Sequence, residues 1–215
     1  MIEIATDFPY LGSRDYIHGT SILNGFLAAL EKAAPGPVAV KRLKFQRPAK
    51  SNGKLVLTRE SLDAAETAQS NCTLTATIAG NAWNGYFSEQ GAAVTQRAAV
   101  SYPIAELQAH AFGGSCTLSP VDRADLVRAL VEANKRFHEA AVPELRAPAV
   151  RFGYLESWSV PPADVAFASA RLEAKNLIAR KTDEGYMTIN RLSYGEGDAP
   201  RTTLTLCFEV HAGES

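Results

Sequence analysis

Three residues that can take part in proton transfer stand close together near the start of the chain, as Asp15, Tyr16 and His18. The unperturbed pKa of an imidazole is about 6.5, which suits proton transfer at neutral pH. In a functional interpretation, His18 takes a proton from a substrate carbon or activates water, and Asp15 orients its ring. In the alternative interpretation, His18 caps a helix or is simply solvated.

The residues that follow His18 offer hydrogen-bond donors. Backbone amides in the first turn of a helix have no acceptor within the helix and carry partial positive charge. The amides of Gly19 and Thr20 are therefore candidates to bind a carbonyl oxygen. With Tyr16, they form the predicted substrate-binding part of this site.

A second polar pair, Asn134 and His138, is spaced four residues apart, which places both side chains on one face of a helix. We interpret Asn134 as a catalytic residue that hydrogen-bonds a substrate oxygen, and His138 as a residue that lines the same pocket. The alternatives are a core asparagine bonded to nearby backbone and a histidine placed favourably near a helix C-terminus.

Two amphipathic helices must position these residues. Apolar side chains recur at helical spacing over residues 20–33 and again over residues 123–140. The first apolar stripe consists of Ile22, Leu23, Phe26, Leu27 and Leu30. The second consists of Leu126, Val127, Leu130, Val131 and Phe137. We expect Asp122 to cap the second helix.

The two stripes coincide at a constant shift of 104 residues, which lays Leu126 on Ile22. The same shift lays Asn134 on Leu30, so that only the second helix has a polar residue in its buried stripe. An unpaired buried amide costs about 1 to 3 kcal/mol, so some group must bond Asn134. We expect a pocket between the two halves, built from the loop before the first helix and from the second helix.

Strand-like segments follow each helix in the same order, after a proline-containing break. The first half has predicted strands at 2–6, 37–45, 54–62, 68–79 and 91–102. The second half has predicted strands at 112–118, 149–160, 164–181, 184–194 and 201–210. Because no further helices separate the strands within a half, the sheets must be antiparallel and must curl around their helix. The pattern predicts an α+β chain with a boundary near 104–110; two unrelated α+β modules are the alternative.

Residues 19–27, GTSILNGFL, resemble the helix entry of hot-dog dehydratases, which act on 3-hydroxyacyl carrier-protein thioesters. The family motif reads His-x-x-x-Gly-x-x-x-x-Pro-Gly followed by an apolar helix. Gly19 and Gly25 fit this motif, and Asn24 stands at the position of its proline. The resemblance extends to the double hot-dog domains of polyketide synthases. It implies a tandem (double) hot-dog fold with units 1–104 and 110–215, each a long central helix wrapped by a curved antiparallel sheet.

The chain departs from the family at both catalytic positions. The positions of the family's catalytic histidine fall on Asp15 and Tyr16, while His18 lies one residue before Gly19. The family's second catalytic group is an acid in Asp-x-x-x-Gln or Asp-x-x-x-His. The similar stretch here runs from Asn134 to His138, with an amide in place of the acid.

The resemblance implies a protein that processes acyl thioesters of coenzyme A or an acyl carrier protein, in fatty acid or polyketide metabolism. The leading hypothesis is a 3-hydroxyacyl thioester dehydratase, a hydro-lyase, in which His18 takes the proton from C2. The first alternative is a thioesterase of the same fold, in which Asp15 and His18 activate water. The second is a non-catalytic acyl-binding or scaffolding partner.

A basic run surrounds the first proline break and comprises Lys41, Arg42, Lys44, Arg47, Lys50 and Lys54. Such cations can bind the phosphates of coenzyme A or of a phosphopantetheine arm. The alternative is a solvated strand face.

The composition narrows the class of protein. The chain has 215 residues, and 46% of them are hydrophobic, which is typical of a globular protein. Its formal net charge of -1 provides no overall positive field to attract nucleic acid or an anionic membrane. The four histidines are scattered without ligand spacing, so we predict neither a metal nor a cofactor.

The three cysteines lie far apart without a Cys-x-x-Cys pair, and the N-terminal residues do not form a signal peptide. These features predict free thiols and a cytoplasmic protein. A chain with two hot-dog units needs no partner chain, and we expect a monomer or a homodimer.

Overall fold

The computed structural model describes residues 1–102, 104–110, 113–119, 122–141, 149–163, 170–183, 185–197 and 201–211. The chain forms two compact units, Met1–Ser101 and Tyr102–Ser215. In each unit, a long helix accompanies an antiparallel sheet. The starts of three predicted strands, at Phe112, Asp164 and Glu184, lie outside the described residues.

The first unit contains a five-stranded antiparallel sheet. Its elements are β1 (Ile2–Ala5), β2 (Tyr10–Leu11), α1 (Gly19–Ala33), β3 (Val38–Phe45), β4 (Asn52–Thr58), α2 (Ala64–Gln69), β5 (Cys72–Ile78), β6 (Asn81–Ala92) and β7 (Arg97–Ala98). The order of strands in the sheet is β1-β4-β6-β5-β3. Strands β2 and β7 form a separate parallel pair.

Helix α1 supplies the core of the first unit. All five residues of the predicted stripe are at most 1% exposed, which confirms the helical period. The helix lies very close to the sheet, since a Cβ atom added to Gly85 of β6 would stand 3.0 Å from the Phe26 ring. Glycine at position 85 therefore lets the aromatic ring pack directly on the strand backbone.

The strand predictions after β4 are only partly correct, since β5 lies within the predicted strand 68–79 but begins four residues later. Residues 64–69 form helix α2, whose N-cap Asp63 accepts from the amides of Ala65 and Glu66. Residues 81–92 form β6, most of which lies between the predicted strands 68–79 and 91–102. It follows β5 after a two-residue turn in which Ala79 and Gly80 both have positive φ, and alanine is an unusual residue for such a turn. Of the predicted strand 91–102, only β7 pairs beyond the end of β6.

The second unit contains a six-stranded antiparallel sheet. Its elements are β8 (Ile104–His110), β9 (Gly113–Leu118), α3 (Arg123–Ala141), β10 (Ala149–Ser159), β11 (Ala170–Thr182), β12 (Gly185–Gly195) and β13 (Thr202–His211). The order of strands is β10-β13-β12-β11-β9-β8. Strand β8 thus occupies the segment to which the sequence analysis assigned the boundary.

Helix α3 begins and packs as the sequence predicts. The side chain of Asp122 accepts a hydrogen bond from the amide of Asp125 (2.7 Å), which confirms the cap. The five stripe residues are buried, with Val131 the most exposed at 7%. A Cβ atom at Gly114 of β9 would stand 2.5 Å from the Phe137 ring, so this strand also approaches its helix closely. Within the described ranges, neither α3 nor any other helix has the length and apolar character needed to cross a membrane.

Candidate functional site

His18 occupies the N-cap position of α1, and its side chain makes no capping bond to the helix backbone. Its Nδ1 atom lies 2.7 Å from the hydroxyl of Thr20, which is fully buried. The ring itself is half-buried. Thr20 therefore fixes the orientation of an imidazole that remains partly accessible at the start of the central helix.

The other predicted residues of the first site surround this position. Asp15 is exposed, and Tyr16 and Gly19 are half-buried. The backbone bonding of α1 begins with the amides of Ser21 and Ile22, which both donate to the carbonyl of His18. The amides of Gly19 and Thr20 thus precede the first intrahelical bonds, as expected for donors at a helix N-terminus. Nδ1 of His18 contacts the side chain of Thr20, and the role of Asp15 in orienting the imidazole stays a prediction.

Asn134 belongs to a buried polar cluster in the second unit. Its Oδ1 accepts from Nδ2 of Asn190 on β12 (2.7 Å), and both residues are at most 1% exposed. The same Asn190 nitrogen lies 2.7 Å from Nε2 of His138. Asn134 is therefore bonded to a side chain of the sheet. The alternative interpretation, a core asparagine bonded to nearby backbone, predicted a different partner.

The geometry also assigns the proton on His138. An amide nitrogen only donates, so Nε2 must accept and the ring proton is assigned to Nδ1. Nδ1 faces the hydroxyl of Thr188 at 3.4 Å, and the ring packs edge-on against Phe208 at a centroid distance of 5.5 Å. Burial lowers the pKa of His138 to about 4, although the bond to Asn190 opposes this shift. His138 is neutral at pH 7.

Two polar atoms of the cluster have no hydrogen-bond partner among the described residues, namely Nδ2 of Asn134 and Oδ1 of Asn190. One is a donor and the other an acceptor. Buried polar atoms are bonded in the large majority of cases, so each of the two atoms can form one further hydrogen bond. A hydroxyl group can bond either of them, because it both donates and accepts, whereas a carboxylate only accepts.

Sequence reasoning missed Thr188 and Asn190. In β12 the buried positions alternate as Thr188, Asn190, Leu192 and Tyr194. Side chains at this period share one face of a strand, so two polar residues extend an otherwise buried, largely apolar face. The polar residues at alternate positions of β12 are visible in the sequence, but the pattern does not identify Asn134 as their partner.

The structure brings the predicted residues together in two groups. His18 and Thr20 are in contact in the first unit, and Asn134 and His138 share a buried cluster in the second. That His18 and Asn134 serve one substrate stays a prediction. Among the described residues, no group of three or more histidine, cysteine, aspartate or glutamate side chains could hold a metal ion.

Comparisons with solved structures identify the fold. An Alicyclobacillus acidocaldarius protein described as having a hot-dog fold is 14% identical, with a TM-score of 0.57 over 99% of this chain and 93% of that one. The dehydratase domain of PpsC from Mycobacterium tuberculosis, in complex with C12:1-CoA, is 11% identical (TM-score 0.57; 97% and 92% covered). A Lactobacillus plantarum structure provisionally described as an oleoyl thioesterase is 9% identical (TM-score 0.54; 98% and 96% covered).

No family model and no curated protein matches the chain. At these identities the structural likeness establishes the fold and leaves the activity to be argued from the residues. The resemblance inferred from residues 19–27 is confirmed at this level. This chain has the hot-dog fold, in which a long helix accompanies an antiparallel sheet.

Proposed function

We propose that this chain processes acyl thioesters as a dehydratase-like enzyme that converts a 3-hydroxyacyl thioester into a 2-enoyl thioester and water. We also propose that it is a double hot-dog protein, in which each compact unit is one hot-dog. The solved structures of the same fold include a dehydratase domain bound to an acyl-CoA and a provisional thioesterase. Acyl thioesters are therefore the substrate class common to these relatives.

The observation that carries the dehydratase proposal is the bond between His18 and Thr20. In the thioesterase alternative Asp15 itself helps to activate the water, whereas in the dehydratase it only orients the imidazole, a role that Thr20 can fill. Asp15 is exposed, and a hydroxyl instead orients the imidazole. An imidazole held in this way suits proton transfer at a substrate carbon.

His18 takes the proton from C2 in the proposed reaction. The C3–O bond breaks, the new double bond forms between C2 and C3, and the proton passes to the departing hydroxyl so that water leaves. The amides of Gly19 and Thr20 bind the thioester oxygen as its negative charge develops. Asn134 hydrogen-bonds an oxygen of the substrate but cannot donate a proton as an acid would.

The test incubates the protein with a short 3-hydroxyacyl pantetheine thioester and measures the formation of the enoyl product and of free thiol. Formation of the enoyl absorbance without thiol release supports the dehydratase, and thiol release identifies a thioesterase instead. His18→Ala should abolish turnover and leave the circular dichroism spectrum unchanged. The matched control is His110→Ala, which removes an exposed histidine and should retain the rate. Unchanged rates in His18→Ala would remove His18 from the mechanism.

The amide at position 134 favours a second candidate, a non-catalytic acyl-binding partner. If this substitution has silenced the site, the wild-type chain binds an acyl pantetheine without turnover. Asn134→Asp should then produce a dehydration rate above background, because the carboxyl restores the acid of the family motif. A variant that stays inactive while the wild type is active would instead show that the amide is the working residue.

A further inference from the structure

The positive charge of this chain is concentrated in one segment. Residues 32–59 contain eight basic residues and no acidic residue, and the segment is bounded by Glu31 and Glu60. The whole chain has a net charge of -1, so the remaining residues together carry -9. A protein with little net charge thus has a strong local excess of cations around β3 and β4.

Strand β3 turns three of these cations outward. Lys41, Arg42 and Lys44 are all exposed, whereas Val40 and Leu43 are buried. The pairing of β3 with β5 shifts register between Val40 and Arg42, which leaves Lys41 as an extra residue in the strand. This bulge lets two consecutive cations face solvent, where regular alternation would turn one of them inward.

Strand β5, the neighbour of β3 within the first unit, adds no negative charge to this surface. Lys44 pairs with Thr73 and Arg42 with Thr75, and β5 contains no acidic residue. Among the described residues, Lys41 and Lys44 form no ion pair. Their charges are therefore not neutralised by contacts within the described part of the chain.

The loop after β3 presents two more exposed cations, Arg47 and Lys50, on a fixed backbone. The carboxylate of Glu89 accepts from the amides of Lys50 and Ser51, and from Nδ2 of the fully buried Asn71 (3.0 Å). Burial alone raises the pKa of Glu89, but the hydrogen bonds from Asn71, Ser51 and Lys50, together with the positive charge of Arg47, bring it below the usual value. A charged, fully bonded carboxylate thus holds this loop in place.

These five cations, Lys41, Arg42, Lys44, Arg47 and Lys50, are called the basic face. The exposed residues of β3 and β5 are three cations and Thr75, and none of them offers an aromatic ring on which a nucleotide base can stack. Cations spread over one strand and the fixed loop that follows it suit the scattered carboxylates of a protein surface better than one compact phosphate group.

We propose that the basic face docks an acidic protein that carries the acyl thioester. This inference rests on the proposed function, because the partner is defined as the carrier of its substrate. Electrostatic attraction of this kind raises the association rate and orients the partner, and salt weakens it.

The experiment measures the Kd between the full chain and an acyl carrier protein of net negative charge, used in its apo form without the phosphopantetheine arm. Lys41→Glu/Arg42→Glu/Lys44→Glu should raise the Kd about tenfold or more, and added salt should weaken wild-type binding. The control is Lys175→Glu/Arg180→Glu/Lys181→Glu, which makes the same charge change at exposed positions of β11. This control should change the Kd by less than about twofold. Thermal unfolding of both variants verifies that they are folded.

Three outcomes would overturn the inference. They are an equal loss of affinity in the two variants, binding of coenzyme A at the basic face in place of the apo carrier protein, and tighter binding of heparin than of the carrier. The pantetheine thioester assay separates this failure from that of the proposed function, since it needs no carrier. Turnover without carrier binding rejects the docking surface alone, and carrier binding without turnover of any thioester rejects the enzyme alone.

Discussion

At the scale of single residues, the imidazole of His138 links the stability of the second unit to pH. Its pKa is about 4 in the folded protein, against a usual value of 6.5. The unfolded chain therefore binds a proton at a pH where the folded protein does not. The stability that neutral His138 contributes is complete above pH 6.5 and is lost as the pH falls towards 4.

We predict that the free energy of unfolding falls by about 2 kcal/mol when the pH is lowered from 7.5 to 5, because of this histidine alone. Urea unfolding at the two pH values measures the difference. In His138→Gln, which does not titrate, this part of the pH dependence should disappear. Equal pH dependence in both proteins would show that His138 is protonated in the folded state.

A second residue-scale prediction concerns Asn190, which bonds both Asn134 and His138. Asn190→Leu leaves two buried acceptors without a donor and should destabilise the protein by about 2 to 4 kcal/mol. The double variant Asn134→Leu/Asn190→Leu should lose less free energy of unfolding than the two single variants lose together. The reason is that it removes the donor on Asn190 and its acceptor on Asn134 at the same time. Denaturant unfolding of all four proteins gives the coupling energy, and strict additivity would contradict the mutual bonding.

At the scale of elements, the long helices were predictable and several strands were not. The stripes of α1 and α3 follow the helical period over several turns, so their buried faces could be identified from sequence. Helix α2 is short and has no buried residue, and its only signal is the capping pattern of Asp63 and Glu66. Local pattern also could not reveal Asn190, whose role depends on a partner 56 residues away.

The loop between β3 and β4 depends on one side chain of β6. Glu89→Ala removes the acceptor of two backbone amides and of Asn71, and we predict a loss of about 2 to 3 kcal/mol in the free energy of unfolding. Hydrogen exchange at Lys50 and Ser51 should become faster at the same time. The adjacent exposed Gln90 provides the control, since Gln90→Ala should change neither quantity. Unaltered exchange in Glu89→Ala would show that other contacts hold the loop.

At the scale of the whole molecule, the cysteines report on the integrity of both compact units. Cys72 lies in the first unit and Cys116 and Cys207 in the second, and all three are free and buried. Burial raises the pKa of Cys116 to about 11 and raises that of Cys72 further. The three cysteines form no disulfide within the described part of the chain, and the thiols of Cys72 and Cys116 are shielded and protonated at pH 8.

We predict that the three thiols react with a disulfide reagent at pH 8 about a thousandfold or more slowly in the native chain than in guanidinium chloride. The rate is measured by absorbance, with labelled sites identified by mass spectrometry. Ser13→Cys introduces an exposed thiol and should react at once. Rapid native labelling of Cys72 would contradict the prediction and show that the first unit opens readily.

The paired amides of the buried cluster have a further consequence. If the imidazole proton moved from Nδ1 to Nε2, Asn190 would have to turn its oxygen towards the ring, and Asn134 would have to turn its nitrogen towards Asn190. The atoms without a partner would then be the oxygen of Asn134 and the nitrogen of Asn190. A ligand would find an acceptor on Asn134 in place of a donor, and a donor on Asn190 in place of an acceptor. The tautomer of His138 thus determines whether each asparagine offers a donor or an acceptor, without any change in net charge.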